Sequence, residues 1–91
     1  MGEVGGDLET LRNLHKGLDD HAQKALDFKR ALDGHVNNAV WKGTNADKFR
    51  QAWAEFRPVF DKLNTSLTEG RDDVKNQHNN IAAATGEGAR I

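Results

Sequence analysis

The chain has 91 residues, 36% hydrophobic and 30% charged, with 13 basic against 14 acidic side chains and a formal net charge of −1. That balance argues against a nucleic-acid duplex or an anionic membrane as primary partner, because both select a basic excess or stripe. Cysteine is absent, which excludes disulfides and thiolate metal sites, and so short and polar a chain folds only if its apolar residues share one face.

In chain order, residues 1–6 are glycine-rich and read as a flexible tail. No apolar run occupies the first thirty positions, so neither a cleaved secretory signal nor a membrane-spanning helix is expected there. A first helix is predicted over about 7–40. Stepping by threes and fours from Leu8 reaches Leu11, His15, Leu18, Ala22, Ala25, Lys29, Leu32, Val36 and Ala39, eight of the ten apolar. Leu14 and Phe28 lie beside this seam and widen it into a stripe that faces more than one neighbour. Asp7 is the predicted N-cap, since its carboxylate accepts the unpaired amides of the first turn. Gly34 offers a second, earlier end near Asp33.

A turn follows at Trp41-Lys42-Gly43. A second helix is predicted over about 44–84, its seam running Ala46, Phe49, Trp53, Phe56, Phe60, Leu63, Leu67, Gly70, Val74, Gln77, Ile81 and Ala84. Thr44 is the expected cap, with Asp47 three residues later approximating a capping box. Pro58 removes one helical hydrogen bond on the outer side of this seam, which predicts a bend and an unbroken helix. Residues 85–91, TGEGARI, read as a second flexible tail.

Two helices of roughly 50–60 Å, at about 1.5 Å per residue, joined by a few residues, form an antiparallel hairpin. The whole of 1–91 is thus a single all-α unit. Two helices side by side leave Leu14, Leu26, Phe28 and Val59 in water, and a second hairpin completing a four-helix bundle is the economical remedy. Leu11, Leu18, Leu32, Phe49, Phe56, Phe60 and Leu63 are expected to carry most of the burial, at about 1.5–3 kcal/mol each when fully covered. Leu14, Phe28, Trp53 and Leu67 complete the core and interface set. Arg50, Arg57 and Arg71 on one flank answer Asp19 and Asp33 on the other; a solvated edge is the favoured reading, because exposed pairs contribute only about 0–1 kcal/mol.

Taken alone, W-x-G is a loop in which Gly43 ends helix 1 in a left-handed conformation and Trp41 covers the hairpin's end. With Ala46 to Phe49 following as AxxxF, and with amphipathic helices on both sides, the chain resembles the WXG family, the small early-secreted-antigen-like proteins of type VII secretion in Gram-positive and mycobacterial-type bacteria. The resemblance spans about Asp7 to Ala84. It implies a helical hairpin working as a homo- or heterodimer with another such hairpin. It also implies export from the cytoplasm by a membrane-bound ATPase, without a cleaved signal, to the outside or the cell envelope. Trp41 and Gly43 are then the recognition residues. Many members carry Tyr-x-x-x-Asp/Glu after helix 2, whereas this chain has no tyrosine and Ile81 to Thr85 stands there instead. That departure favours a heterodimer whose partner supplies the tail signal.

Sharper chemistry finds no support. His15, His21, His35 and His78 show no metal-ligand spacing. The lone Ser66 lacks a nucleophile elbow, and adjacent carboxylates diverge by about 100° around a helix. The reading is therefore not an enzyme, with no cofactor, metal or small-molecule substrate. Two alternatives stay open: a membrane-active secreted effector, weakened by the lack of a cationic face, and a structural coiled-coil adaptor unrelated to secretion.

Overall fold

A computed structural model describes residues 6–86, 88, 90 and 91. Three helices follow one another: α1, Leu8–Asn38; α2, Thr44–Phe56; and α3, Pro58–Ala84. Among the described residues there is no strand. The molecule measures 64 × 26 × 13 Å, so it is one helix thick in its thinnest direction. That thickness is the hairpin: α1 lies along α3, with α2 carrying the chain back from the turn.

Local chemistry sets the ends. The Asp7 carboxylate accepts from the amides of Glu9 and Thr10, at 2.9 and 3.3 Å, and so fixes the start of α1. α1 passes through Gly34 and ends at Asn38, where Ala39 turns extended at φ −67° and ψ 125°. Pro58 does more than bend the second arm. Lacking an N–H, it interrupts the helical ladder at Arg57, and Phe60 donates to the Arg57 carbonyl at 3.1 Å instead of one residue further back. Arg57 keeps helical dihedrals, φ −45° and ψ −41°, so α2 and α3 meet without a loop although the predicted continuous helix is divided.

The seam between the arms is lined with small residues. Ala22, Ala25, Ala46, Ala82 and the imidazole of His78 are its buried side chains. Phe49, Phe56 and Leu63, expected to carry burial in the core or at an interface with a second hairpin, stay out of this seam. In the hairpin they are 50%, 52% and 45% exposed, because close approach of two helices through alanine leaves large side chains straddling the edge of the seam. Leu11, Leu18, Leu32, Trp53, Phe60 and Leu67 are half-buried on the same terms.

Side-chain bonds across the seam set the register. Asp33 takes both Nε and a terminal nitrogen of Arg57, at 2.6 and 2.7 Å, and also the indole N–H of Trp53 at 2.8 Å. Lys29 reaches Asp61 at 2.7 Å and Arg71 reaches Asp19 at 2.7 Å. Arg12 meets His78 at 3.2 Å, and Asn64 donates to the Ala22 carbonyl at 2.8 Å. From Arg12 through Asp19 and Lys29 to Asp33, α1 advances by seven, ten and four residues; from His78 through Arg71 and Asp61 to Arg57, the other arm retreats by the same steps. A slip of one residue would break all four pairs together. The favoured reading of Asp19, Asp33, Arg57 and Arg71 as a solvated edge is thus overturned; they pair within one hairpin.

His78 also organises the tail. A guanidinium only donates, so Nε2 of His78 accepts from Arg12 and Nδ1–H donates to the Asn79 side-chain oxygen at 3.0 Å. That same amide brackets the main chain of Ile91, accepting from its N–H at 3.0 Å and donating to its carbonyl at 3.1 Å. The end of the segment expected to be a flexible tail is therefore held against α3. The flexible tail expected at 1–6 falls on residues 1–5, which lie outside the described residues, and on the exposed Gly6.

The hydrogen bonds from Arg57, aided by that from Trp53, hold the Asp33 carboxyl below its ordinary value of 3.8. A depressed folded-state value stabilises the fold above the unfolded value and is lost as pH falls through the folded one. Thermal unfolding of Asp33→Asn should therefore show a lower Tm than wild type at neutral pH, with the gap closing below pH 3.8. A gap that persists there would dismiss the ion pair as its cause.

Candidate functional site: the turn and the apolar face

The turn is an extended segment between two helix ends. Ala39 closes α1 by donating its N–H to the His35 carbonyl at 3.1 Å, and Arg50, in α2, reaches back to donate to the carbonyls of Trp41 at 2.8 Å and Ala39 at 3.1 Å. Both carbonyls lie past the last residue of α1, in the connecting segment. Gly43 stands at φ 116° and ψ 178°, a combination open essentially to glycine alone. Its place differs from the sequence expectation in two ways. It starts α2 rather than ending α1, because the chain has already left α1 at Ala39. It also displaces Thr44 as the cap: Asp47 donates to the Gly43 carbonyl at 3.0 Å, Thr44 is the first helical residue, and no side chain caps the end. Asp47 contributes by its charge near the helix N-terminus.

Trp41 is 45% exposed, its ring 5.8 Å from that of Phe49. Together with Leu32, Val36, Ala39, His35 and Arg50 these rings line a hollow of about 220 Å³ at the turn end. Further along the same face lies a shallow groove of about 650 Å³ between the arms. Its floor and walls are Leu14, Leu18, Ala25, Phe28, Phe60, Leu63 and Leu67, with Gly17, His21 and Lys24 along one edge. Within the groove Phe60 packs against the ring of Phe28 at 5.3 Å, and it also meets the rings of Phe56 and Trp53 at 5.7 and 5.9 Å. Of the residues expected in water, Leu14, Phe28 and Val59 are 48%, 57% and 45% exposed, whereas Leu26 is half-buried. The polar staples of Asp33 with Trp53 and Arg57 line a different hollow, so apolar and polar work are divided between the two sides of the seam.

The predicted residues thus gather in two places, Trp41 and Phe49 at the turn and Leu14, Leu18, Phe28, Phe60, Leu63 and Leu67 along the groove. Leu11 lies near the open end, against Gly6 and Ile81. Arg50 is the residue the sequence reading misplaced: its spacing sets it on a flank read as a solvated edge, and no pattern announces a bond to a turn carbonyl nine residues back. Among the described residues no helix is long and apolar enough to cross a membrane, and no group of histidines and carboxylates is placed to hold a metal ion.

The family model described as WXG100, proteins of 100 residues with WXG, matches residues 5–84. Among curated proteins and among solved structures nothing matches.

A Cβ on Gly43 meets nothing within 4 Å, so the demand there is purely one of backbone conformation. Gly43→Ala should lower stability by about 1–3 kcal/mol in chemical denaturation. Gly34→Ala, inside α1 and equally unobstructed, should raise it by about 0.5–1 kcal/mol. Equal effects at the two sites would refute a special backbone role for Gly43.

Proposed function

Because the chain belongs to the WXG100 family, which is associated with type VII secretion substrates, we propose that it is a substrate or partner subunit of a type VII secretion system. It acts by pairing with a second WXG-type hairpin into a four-helix bundle and by presenting the Trp41-Gly43 turn to the export machinery, a membrane-bound ATPase, or to the partner. It resides in the cytoplasm before export and then outside the cell or at its envelope, with no signal peptide removed. No catalytic step is assigned to it.

The observation that carries this reading is the apolar face. Contiguous side chains from Leu14 to Trp41 remain about half exposed in a molecule one helix thick, and faces of that kind mark protein contacts. Covering the exposed half of each large side chain adds about 1 kcal/mol per residue. The turn supports the second part of the proposal: Arg50 and Gly43 hold the backbone while Trp41 keeps nearly half of its surface free, an arrangement suited to a rigid anchor for another protein. The absence of tyrosine favours a different chain as partner, one that supplies the tail signal.

Two substitutions separate pairing from recognition. Phe28→Asp places a charge at the most exposed groove aromatic; circular dichroism should show the helices retained, and light scattering should show pairing lost. Trp41→Ala removes an aromatic contact of about 0.5–1.5 kcal/mol, so the folded pair should survive while export from the producing bacterium fails. Normal export of Trp41→Ala would remove the recognition role. Collapse of its helicity would make Trp41 a structural cap.

A further inference from the structure

The charge on the apolar face identifies its partner more closely, and the argument rests on the pairing reading above. No residue lining the groove or the turn hollow carries a carboxylate. The fixed charges among them are Lys24 at the groove and Arg50 at the turn, both positive, accompanied by the imidazoles of His21 and His35. This is a strongly one-signed selection from a chain with 14 acidic residues against 13 basic ones. Among the described residues, the cross-seam ion pairs use Lys29, Arg57 and Arg71, and no carboxylate pairs with Lys24 or Arg50. His21 donates through Nδ1 to the Gly17 carbonyl at 2.8 Å and gains no carboxylate either.

We propose that the partner of this face is a second helical hairpin of different sequence, whose apolar stripe is edged by a carboxylate that meets Lys24 at mid-hairpin. A second copy is the poorer occupant. A two-fold interface sets the same patch against itself, so in either direction a copy brings another Lys24 and another Arg50 to the contact and no carboxylate from the patch. Like charges enclosed together oppose association, and opposite charges select the partner. Lys24 stands near the middle of α1, so it remains within the contact whether the hairpins run parallel or antiparallel. An anionic membrane is also disfavoured: interfacial helices carry many cations along the polar face, whereas Arg50 is occupied with the carbonyls of Trp41 and Ala39 and the other side of the hairpin holds Asp19 and Asp33 in ion pairs.

The chain itself supplies the probe. Lys24→Glu, at an exposed helical position, turns one copy into an acid-edged hairpin; Lys24→Gln removes the charge alone, and circular dichroism confirms that each variant is folded. Native mass spectrometry and sedimentation of equimolar wild type with Lys24→Glu should give mixed pairs about tenfold tighter than either chain alone. The preference should shrink as salt is raised and be mostly absent with Lys24→Gln. Wild-type pairs as tight as the mixed ones would overturn the charge inference and leave pairing by the apolar face intact. Failure of the wild-type and Lys24→Glu mixture to pair would overturn the charge inference alone, because the pairing reading above favours a chain of different sequence. Tighter binding of the wild-type chain to vesicles rich in phosphatidylglycerol than to the acid-edged hairpin would assign the face to a membrane instead.

Discussion

Two helices lying side by side share one narrow seam. Here it is filled by Ala22, Ala25, Ala46 and Ala82, which let the arms approach closely but remove little apolar surface from water, and by the one imidazole of His78. Much else in the structure answers to that geometry. The large apolar residues Leu14, Phe28, Phe56 and Leu63 collect along its edge with about half their surface exposed. A seam of methyl groups also specifies register poorly, because one alanine fits against the next nearly as well as against its neighbour. The polar staples supply what alanine lacks: a carboxylate and a guanidinium meet at one alignment and fail at all others, so the pairs from Asp33 with Arg57 to Arg12 with His78 fix where each residue stands along the rod. Exposed ion pairs are weak as a source of stability. As markers of alignment they need only penalise the wrong pairing.

The turn solves a related problem with different means. A chain reversing between two long helices leaves carbonyls at the end of one and amides at the start of the next. Arg50 holds the Ala39 and Trp41 carbonyls just past the end of α1, and the Gly43 carbonyl opens the ladder of α2. The conformation that Gly43 adopts is what brings α2 back along α1, and a side chain there would oppose it. The Trp41 carbonyl is held by Arg50, whereas its ring is engaged by the ring of Phe49 and keeps nearly half of the residue's surface open. A large ring left over in this way, at a site whose backbone is fixed by its neighbours, is available for recognition.

Much of this was legible in the residues. Helix type, hairpin topology, the Asp7 cap and the exposed stripe follow from spacing and from the chemistry of one carboxylate. What failed did so for identifiable reasons. Stepping by sevens drifts by about 20° per heptad against a straight helix, and from Ala46 onward that error grows to most of one residue's rotation. The predicted seam therefore arrives at exposed Gln77 when the buried position is His78. Thr44 looked like a cap because its side chain is of the right kind, whereas the backbone of Gly43 already provided the helix start. The pairing of Asp19 and Asp33 depended on a register that period alone leaves free by whole turns. The role of Arg50 depended on a fold of the turn that no periodicity encodes.

The division of labour between the two sides of the seam has a thermodynamic consequence for association. Ordering a flexible surface as it binds costs free energy that contacts must first offset, and a surface fixed beforehand avoids much of that cost. On the stapled side, Asp33, Arg57, Asp19 and Arg71 spend their charges within the hairpin, so they have little left to offer a partner. On the other side the apolar residues and Lys24 stay uncommitted, yet they are carried on helices whose alignment the staples have already set. A single hairpin is therefore better suited to present a preformed face than to stand alone. The features that make it a poor globule, a thin cross-section and an alanine seam, also make nearly every large apolar side chain available to whatever completes the bundle.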